Sequence, residues 1–265
     1  MSGIKIKNIL SVIEDFAPLV WQEDYDNAGL IVGNSQSELK GVLICLDVFP
    51  SIVQEAIDNN CNLIISHHPF IFRGIKKLIH NSYIAKILSL SFNHNVALYA
   101  SHTNMDACST GVNYMLAEVL GLKDLQPLQR TAMEDKNYLG IGAIGTLGEA
   151  TMGKKFFGTI KEKLNLPCIK YVGNSEKTIK KVGICGGAGA EFIPKAMSSD
   201  CDCYLTGDIK YHDFLAAEDK ILLADIGHFE SEQFVLQRFA EIIRTSYPQL
   251  KNIVISKTNK IKYYL

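Results

Sequence analysis

Surplus charge of either sign is missing from this chain. Its 27 Lys and Arg face 28 Asp and Glu, for a formal net charge of −1 over 265 residues. That leaves no general attraction to nucleic acid or to an anionic membrane. Long apolar runs are missing too. None approaches the ~20 residues that cross a bilayer, and Met1 to Leu10 alternates apolar residues with lysines where a signal peptide would carry an apolar core. The expected location is cytoplasmic. The chain also lacks a CxxC pair, and its cysteines number an odd 7, which argues against a disulfide framework and a thiolate zinc finger. Cys45, Cys61, Cys168, Cys185, Cys201 and Cys203 sit in or beside apolar, strand-like segments and read as buried core thiols. Low-complexity stretches are absent. What remains, with 47% hydrophobic and 21% charged residues, is an ordinary globular composition, long enough for one large domain or two modest lobes with a real core.

Apolar periodicity organises the first half. Ile6, Leu10, Ile13 and Ala17 fall at helical spacing within Ile4–Trp21. A polar turn at Asp26–Asn27 leads to a short strand ending near Gly33. Strands at Val42–Asp47, Cys61–Ser66 and Val96–Ser101 then alternate with helices at Ser51–Asn59, Tyr83–His94 and Gly111–Leu120, the last stopped by Gly121. Such alternation implies βαβ units and an α/β fold with largely parallel or mixed sheets. Beyond it come a glycine-bearing strand at Asn137–Leu147, a helix at Met152–Leu164 and a strand at Cys168–Val172. A helix at Ser231–Ser246 and a strand at Asn252–Ser256 close the chain.

The second half echoes the first. Val42–Cys45 matches Val182–Cys185, Ser51–Asn59 matches Glu191–Ser198, and Cys61–Ser66 matches Cys201–Thr206. His102-x-x-x-Asp106 matches His228-x-x-x-Glu232. Chance similarity of two βαβ units would give the same echo. A true repeat predicts two similar α/β lobes, 1–125 and 126–265, with exchange of C-terminal elements possible. Each lobe would then supply half of a site in the cleft between them.

The candidate site lies at strand ends. Asn62–Ser66 delivers His67 and His68, Val96–Ser101 delivers His102 with Asp106 four residues on, and Ile221–Ile226 delivers His228 with Glu232 four residues on. Ligands of open α/β sheets bind at the carboxyl ends of strands. Imidazole and carboxylate donors suit zinc, iron, manganese, nickel or cobalt. The pattern points to a divalent-metal site, for two ions, with Glu232 in the first turn of Ser231–Ser246 as the candidate bridge. A lone histidine past a strand is more often a satisfied polar residue; here 4 of the 7 histidines share the placement. His80 and His94 read as surface. His212 also follows a strand and suits either a general acid/base or a structural role. The Cys185–Ala190 glycine run, read as a strand–helix loop, could cradle phosphate, though a tight turn explains it as well. Asp47 ends a strand and could line the cleft, and Asp26–Asn27 reads as a cap.

These residues resemble the NGG-interacting-factor-like family, known in bacteria as GTP cyclohydrolase I type 2 homologues. The resemblance is carried by Asp26-Asn27-x-Gly29-Leu30, Ser66-His67-His68-Pro69, Ser101-His102-Thr103-Asn104-x-Asp106, Thr206-Gly207-Asp208-Ile209-Lys210-Tyr211-His212 and Gly227-His228-x-x-x-Glu232. It implies two α/β lobes around a dinuclear metal site and a toroidal homohexamer. Its metal ligands would be His67, His68, Asp106, His228 and Glu232, with His102 close by. Longer members carry an inserted domain, which this chain is too short to hold. The cyclohydrolase name implies opening of the guanine imidazole ring of GTP.

Two functions are open on this reading. A metal-dependent hydrolase would use metal-bound hydroxide on a nucleotide-like substrate, with His102 or His212 as proton shuttle. A non-enzymatic oligomer would use the same ligands to store, deliver or sense metal, or to adapt a protein partner. The partners expected are further copies of the chain and a small nucleotide-like molecule, with no membrane and no nucleic acid.

Overall fold

The computed structural model describes residues 3–80, 82–130 and 140–264. In chain order the elements are α1 (Ile6–Phe16), β1 (Gly29–Val32), β2 (Val42–Cys45), α2 (Pro50–Asp58), β3 (Leu63–Ser66), α3 (Tyr83–His94) and β4 (Ala97–Ala100). There follow α4 (Thr103–Asp106), α5 (Val112–Leu120), β5 (Lys123–Gln129), β6 (Ile141–Met152), α6 (Gly153–Leu164), β7 (Lys170–Val172) and β8 (Thr178–Ala188). The chain continues through α7 (Ile193–Ser198), β9 (Cys203–Gly207), α8 (Tyr211–Ala217), β10 (Leu222–Asp225), α9 (His228–Glu232), α10 (Val235–Ser246) and β11 (Ile253–Ile255). The fold is mixed α/β.

Local chemistry sets several boundaries. α1 stops at Phe16, short of the expected Trp21, because Ala17 precedes Pro18 and takes φ −133°, ψ 82°; the proline ring disfavours helical backbone before it. A separate 3-10 turn then spans Leu19–Trp21. α3 has the predicted limits: the Ser82 hydroxyl accepts the Ala85 amide, and Asn95 closes the end in the left-handed conformation at φ 54°. Gly121, at φ 79°, ends α5 in the same way. Of the strand expected over Asn137–Leu147, Asn137 to Leu139 lie outside the described residues.

The chain divides into two compact units. The first holds Met1–Met105 and Val235–Thr258; the second holds Asp106–Phe234 and Asn259–Leu265. The division thus falls at Met105/Asp106, not near residue 125. The physical reason is α5, whose Tyr114, Leu116, Ala117 and Leu120 are buried in the same apolar cluster as Val182, Ile184 and Phe156.

The first unit carries a five-stranded sheet in the order β1-β4-β3-β2-β11. β4, β3, β2 and β11 run parallel and β1 pairs antiparallel with β4. β2, β3 and β4 are buried at every residue, as expected of parallel strands covered on both faces. The second unit carries a six-stranded sheet in the order β5-β6-β8-β9-β10-β7. β8, β9 and β10 are parallel, while β7 and β6 flank them antiparallel.

The repeat is real at the level of topology and reaches further than the sequence echo. Each unit has a helix (α1, α6), a strand antiparallel to the third parallel strand (β1, β7), and then a β-α-β-α-β run laid out as three adjacent parallel strands. The closing helices are reciprocal. α5 follows the first run yet packs on α6 and β8 of the second unit, whereas α10 follows the second run yet packs on α1 and β2 of the first. No described helix is long and apolar enough to cross a membrane.

Candidate metal centre

Two parallel strands of the first unit, β3 and β4, end level with each other and run into histidines. His67 and His68 leave β3, and His102 leaves β4. His67 is fully buried and His68 and His102 are half-buried. Their ligand nitrogens lie within 4.8 Å of one another, and the ring centroids are 4.9, 5.2 and 5.5 Å apart.

Each ring is oriented through Nδ1. His67 Nδ1 donates to the Ser101 carbonyl at 3.0 Å, His68 Nδ1 to Asp47 Oδ1 at 2.9 Å, and His102 Nδ1 to Asp26 Oδ1 at 2.9 Å. An imidazole fixed this way presents Nε2 as its ligand atom. Metal-binding histidines almost always donate their other nitrogen to a carboxylate or a backbone carbonyl.

Asp26 is a positioning carboxylate, not only a cap. Its side chain is wholly buried and also accepts the Thr103 amide and hydroxyl. Burial alone would raise its pKa. The His102 hydrogen bond and charge, with the Thr103 bonds, outweigh that and hold the carboxyl far below its ordinary range. Asp47, two residues past β2, grips the histidine that follows the neighbouring strand.

The second unit repeats the device. His228 opens α9 after β10, and its Nδ1 donates to Asp208 Oδ2 at 2.7 Å. Its Nε2 stands 3.2 Å from Glu232 Oε2, so the i, i+4 pair converges across one turn. Glu232 is buried. It sits at the end of the short α9, not in the first turn of a helix over Ser231–Ser246, because the chain breaks at Gln233–Phe234 before α10. The expected dipole support for Glu232 therefore does not apply.

The Cys185–Ala190 glycines are not a strand–helix phosphate loop. Gly186 and Gly187 lie within β8, with Gly187 at φ 65°. A Cβ on Gly187 would overlap Glu232 Oε1 and come within 3.2 Å of His228 Nε2; one on Gly186 would meet Glu232 Cγ at 3.4 Å. The glycines make room for the carboxylate. Ser231 completes the local frame: its hydroxyl accepts the Gly187 amide and donates to the His228 carbonyl. Asp106, half-buried in this unit, has its carbonyl held by Asn113 Nδ2 at 3.2 Å, and Asn113 Oδ1 accepts the Gly186 amide at 2.9 Å. Burial first, then the Asp106, Glu232 and Glu191 carboxylates, push the Cys185 thiol well up.

The remaining candidates fall elsewhere. His80 and His94 are exposed, as expected. His212 is exposed on the first turn of α8, its ring 5.4 Å from that of Tyr211. Cys168 is exposed, against expectation, while the other cysteines are buried. Sequence reasoning missed Asp208 and Ser231, and it missed that Asp26 and Asp47 orient histidines. The available signal was an acid at the near end of a neighbouring strand: Asp47 past β2, Asp208 past β9 and Asp26 ahead of the antiparallel β1.

The donor set of imidazoles and carboxylates, the fixed Nδ1 atoms and the glycine space around Glu232 all fit divalent metal ions.

Comparison with known proteins gives a consistent picture. The family model for Duf34/NIF3 (NGG1p interacting factor 3) matches residues 4–261. A Campylobacter jejuni protein named GTP cyclohydrolase 1 type 2 homolog is 33% identical over 263 residues, 98% of this chain and 100% of that protein. A crystal structure of a Staphylococcus aureus hypothetical protein superposes with a TM-score of 0.88 at 29% identity, covering 99% of this chain and 100% of that one. The Bacillus cereus protein related to NIF3 has a TM-score of 0.91 with full coverage of both chains, and at 23% identity it speaks for the fold alone.

Proposed function

The chain belongs to the Duf34/NIF3 family, and from that premise we propose that it is a metal-dependent hydrolase acting on a nucleotide-like substrate. The observation that carries this reading is the uniform setting of the four imidazoles, each held at Nδ1 by a carboxylate or a backbone carbonyl. Metal-binding histidines almost always carry such an outer partner, which fixes the ring and leaves Nε2 as the ligand atom. The proposed ligands are His67, His68, His102, Asp106, His228 and Glu232. The cargo is two divalent ions, zinc, iron or manganese by the borderline-to-hard donor set.

When bound, such ions would supply an acidified water and a Lewis acid for the substrate. The chain's own residues do the rest. Asp26, Asp47 and Asp208 fix the rings and offset the cationic charge. The packing around Glu232 keeps its carboxylate in place. His212, exposed to bulk water, is the proposed proton carrier, with His102 in that role only where its Nε2 is not a ligand. The name borne by the relatives makes GTP the first substrate to try. The proposed assembly is a homo-oligomer, hexameric by family resemblance.

Elemental analysis of wild type and of Glu232→Ala tests the metal reading. About two ions per chain should fall to one or fewer. Metal-free wild type that also refuses reconstitution would overturn it. Metal-loaded protein that leaves GTP and other nucleotides intact would remove the hydrolase and leave a metal-storing, delivering or sensing oligomer.

A further inference from the structure

Beside the three histidines of the first unit stands an aromatic pair that the metal chemistry does not use. The Phe72 ring lies 6.0 Å from the His102 ring at 79°, and Tyr25 lies 6.0 Å from Phe72 at 45°. Both are open to solvent, Phe72 by 42% and Tyr25 by 59%. Their backbones are anchored from one loop. Asn27 Nδ2 donates to the Ile71 carbonyl at 2.6 Å, the Gln22 side chain accepts the Ala28 amide at 2.9 Å, and Asp26 grips His102 and Thr103. The dipeptide Asp26–Asn27 thus orients a candidate ligand and an aromatic wall together.

The charges come from different segments: Asp24 and Asp26 flank Tyr25, whereas the Phe72 side is basic. No Asp or Glu occurs from Asn59 to Met105, while the exposed segment after Phe72 carries Arg73, Lys76 and Lys77. An ordered apolar ring face beside polar ligands and next to three exposed cations matches one ligand chemistry. That ligand is a planar heteroaromatic ring bearing phosphate. Rings stack on aromatic faces, and cations take the phosphate.

We infer that the Tyr25–Phe72 pair is the stacking wall for the base of a nucleoside phosphate, whose phosphates are met by Arg73, Lys76 and Lys77. The inference rests on the proposed function for its substrate class and names the residues that would select it.

The test is calorimetric binding to the full-length protein, metal-loaded and metal-depleted. The probes are GMP, a guanine nucleotide analogue of ribose 5-phosphate that differs from it by the base alone, ribose 5-phosphate itself, and tripolyphosphate. The analogue should bind the metal-loaded protein roughly 5- to 140-fold tighter than ribose 5-phosphate, the range that stacking one base supplies. Phe72→Ala should erase that preference with metal content unchanged, and Phe72→Tyr should restore it. Equal binding of the analogue and ribose 5-phosphate by wild type would overturn the wall. So would a Phe72→Ala protein that keeps the preference, or one that changes only its oligomeric state. A chain without metal that still prefers the analogue through Phe72 would support the wall while the metal reading fails. A two-metal chain that ignores all three probes would do the reverse.

Discussion

The carboxylate of Glu232 occupies the space that a side chain on Gly187 would need. The two residues come from different elements, α9 and β8, and neither position explains itself alone. A glycine inside a strand weakens it. Here the weakness makes room for a buried acid beside His228.

Gly187→Ala should therefore fail twice. The left-handed backbone costs an alanine about 1 to 2 kcal/mol, and the methyl must displace Glu232. Metal content should fall by about one ion per chain, with a lower melting temperature. Gly148→Ala, where nothing lies within 4 Å, is the control and should change neither. Full metal content in Gly187→Ala would show that Glu232 is not held for a ligand's purpose.

Asp26→Asn keeps the shape but removes the charge that orients His102. Loss of such a partner typically weakens metal binding about 10- to 100-fold. A competition titration against a chelator should show a drop of that size with a near-native circular dichroism spectrum. An unchanged affinity would reduce Asp26 to a loop brace.

Thiol labelling should find one fast cysteine. Cys168 is exposed and the other cysteines are buried; burial pushes Cys61 and Cys201 up to about 11, so at neutral pH they are thiols with little thiolate. Native protein should release about one equivalent quickly, and Cys168→Ser should abolish it. Release of several equivalents before denaturation would contradict the packing of the sheets.

Phe239→Ala should act far along the sequence from its own neighbours. Phe239 is fully buried, and α10 packs on α1 and β2. Truncation of a buried phenylalanine costs about 3 to 5 kcal/mol. Hydrogen exchange should accelerate in α1 and β2 more than in β9 and β10. The opposite pattern would refute the assignment of α10 to the first unit.

Much of this was legible in residues alone. The runs of β2, β3 and β4 announced themselves as continuous apolar strands, and α3 carried both its cap at Ser82 and its stop at Asn95. The histidines were legible because they follow such runs directly. β5 was not, since Lys123–Gln129 is mostly exposed and contains Pro127, which breaks any alternation. The break between α9 and α10 was hidden because Ser231–Ser246 holds neither glycine nor proline and keeps a helical apolar period; tertiary packing, not propensity, divides it. The carboxylates behind the histidines were hidden because Asp26, Asp47 and Asp208 meet their partners across strands, where spacing along the chain carries no information.

The reciprocal placement of α5 and α10 bears on where the chain came from. One repeat by itself would leave its opening helix and parallel strands bare on the side that the other repeat's closing helix now covers. Its self-sufficient form is two copies trading closing helices. Joining two such copies end to end would yield the present chain with every traded helix already seated. The ancestral gene on this view was half as long, and its product was a swapped dimer.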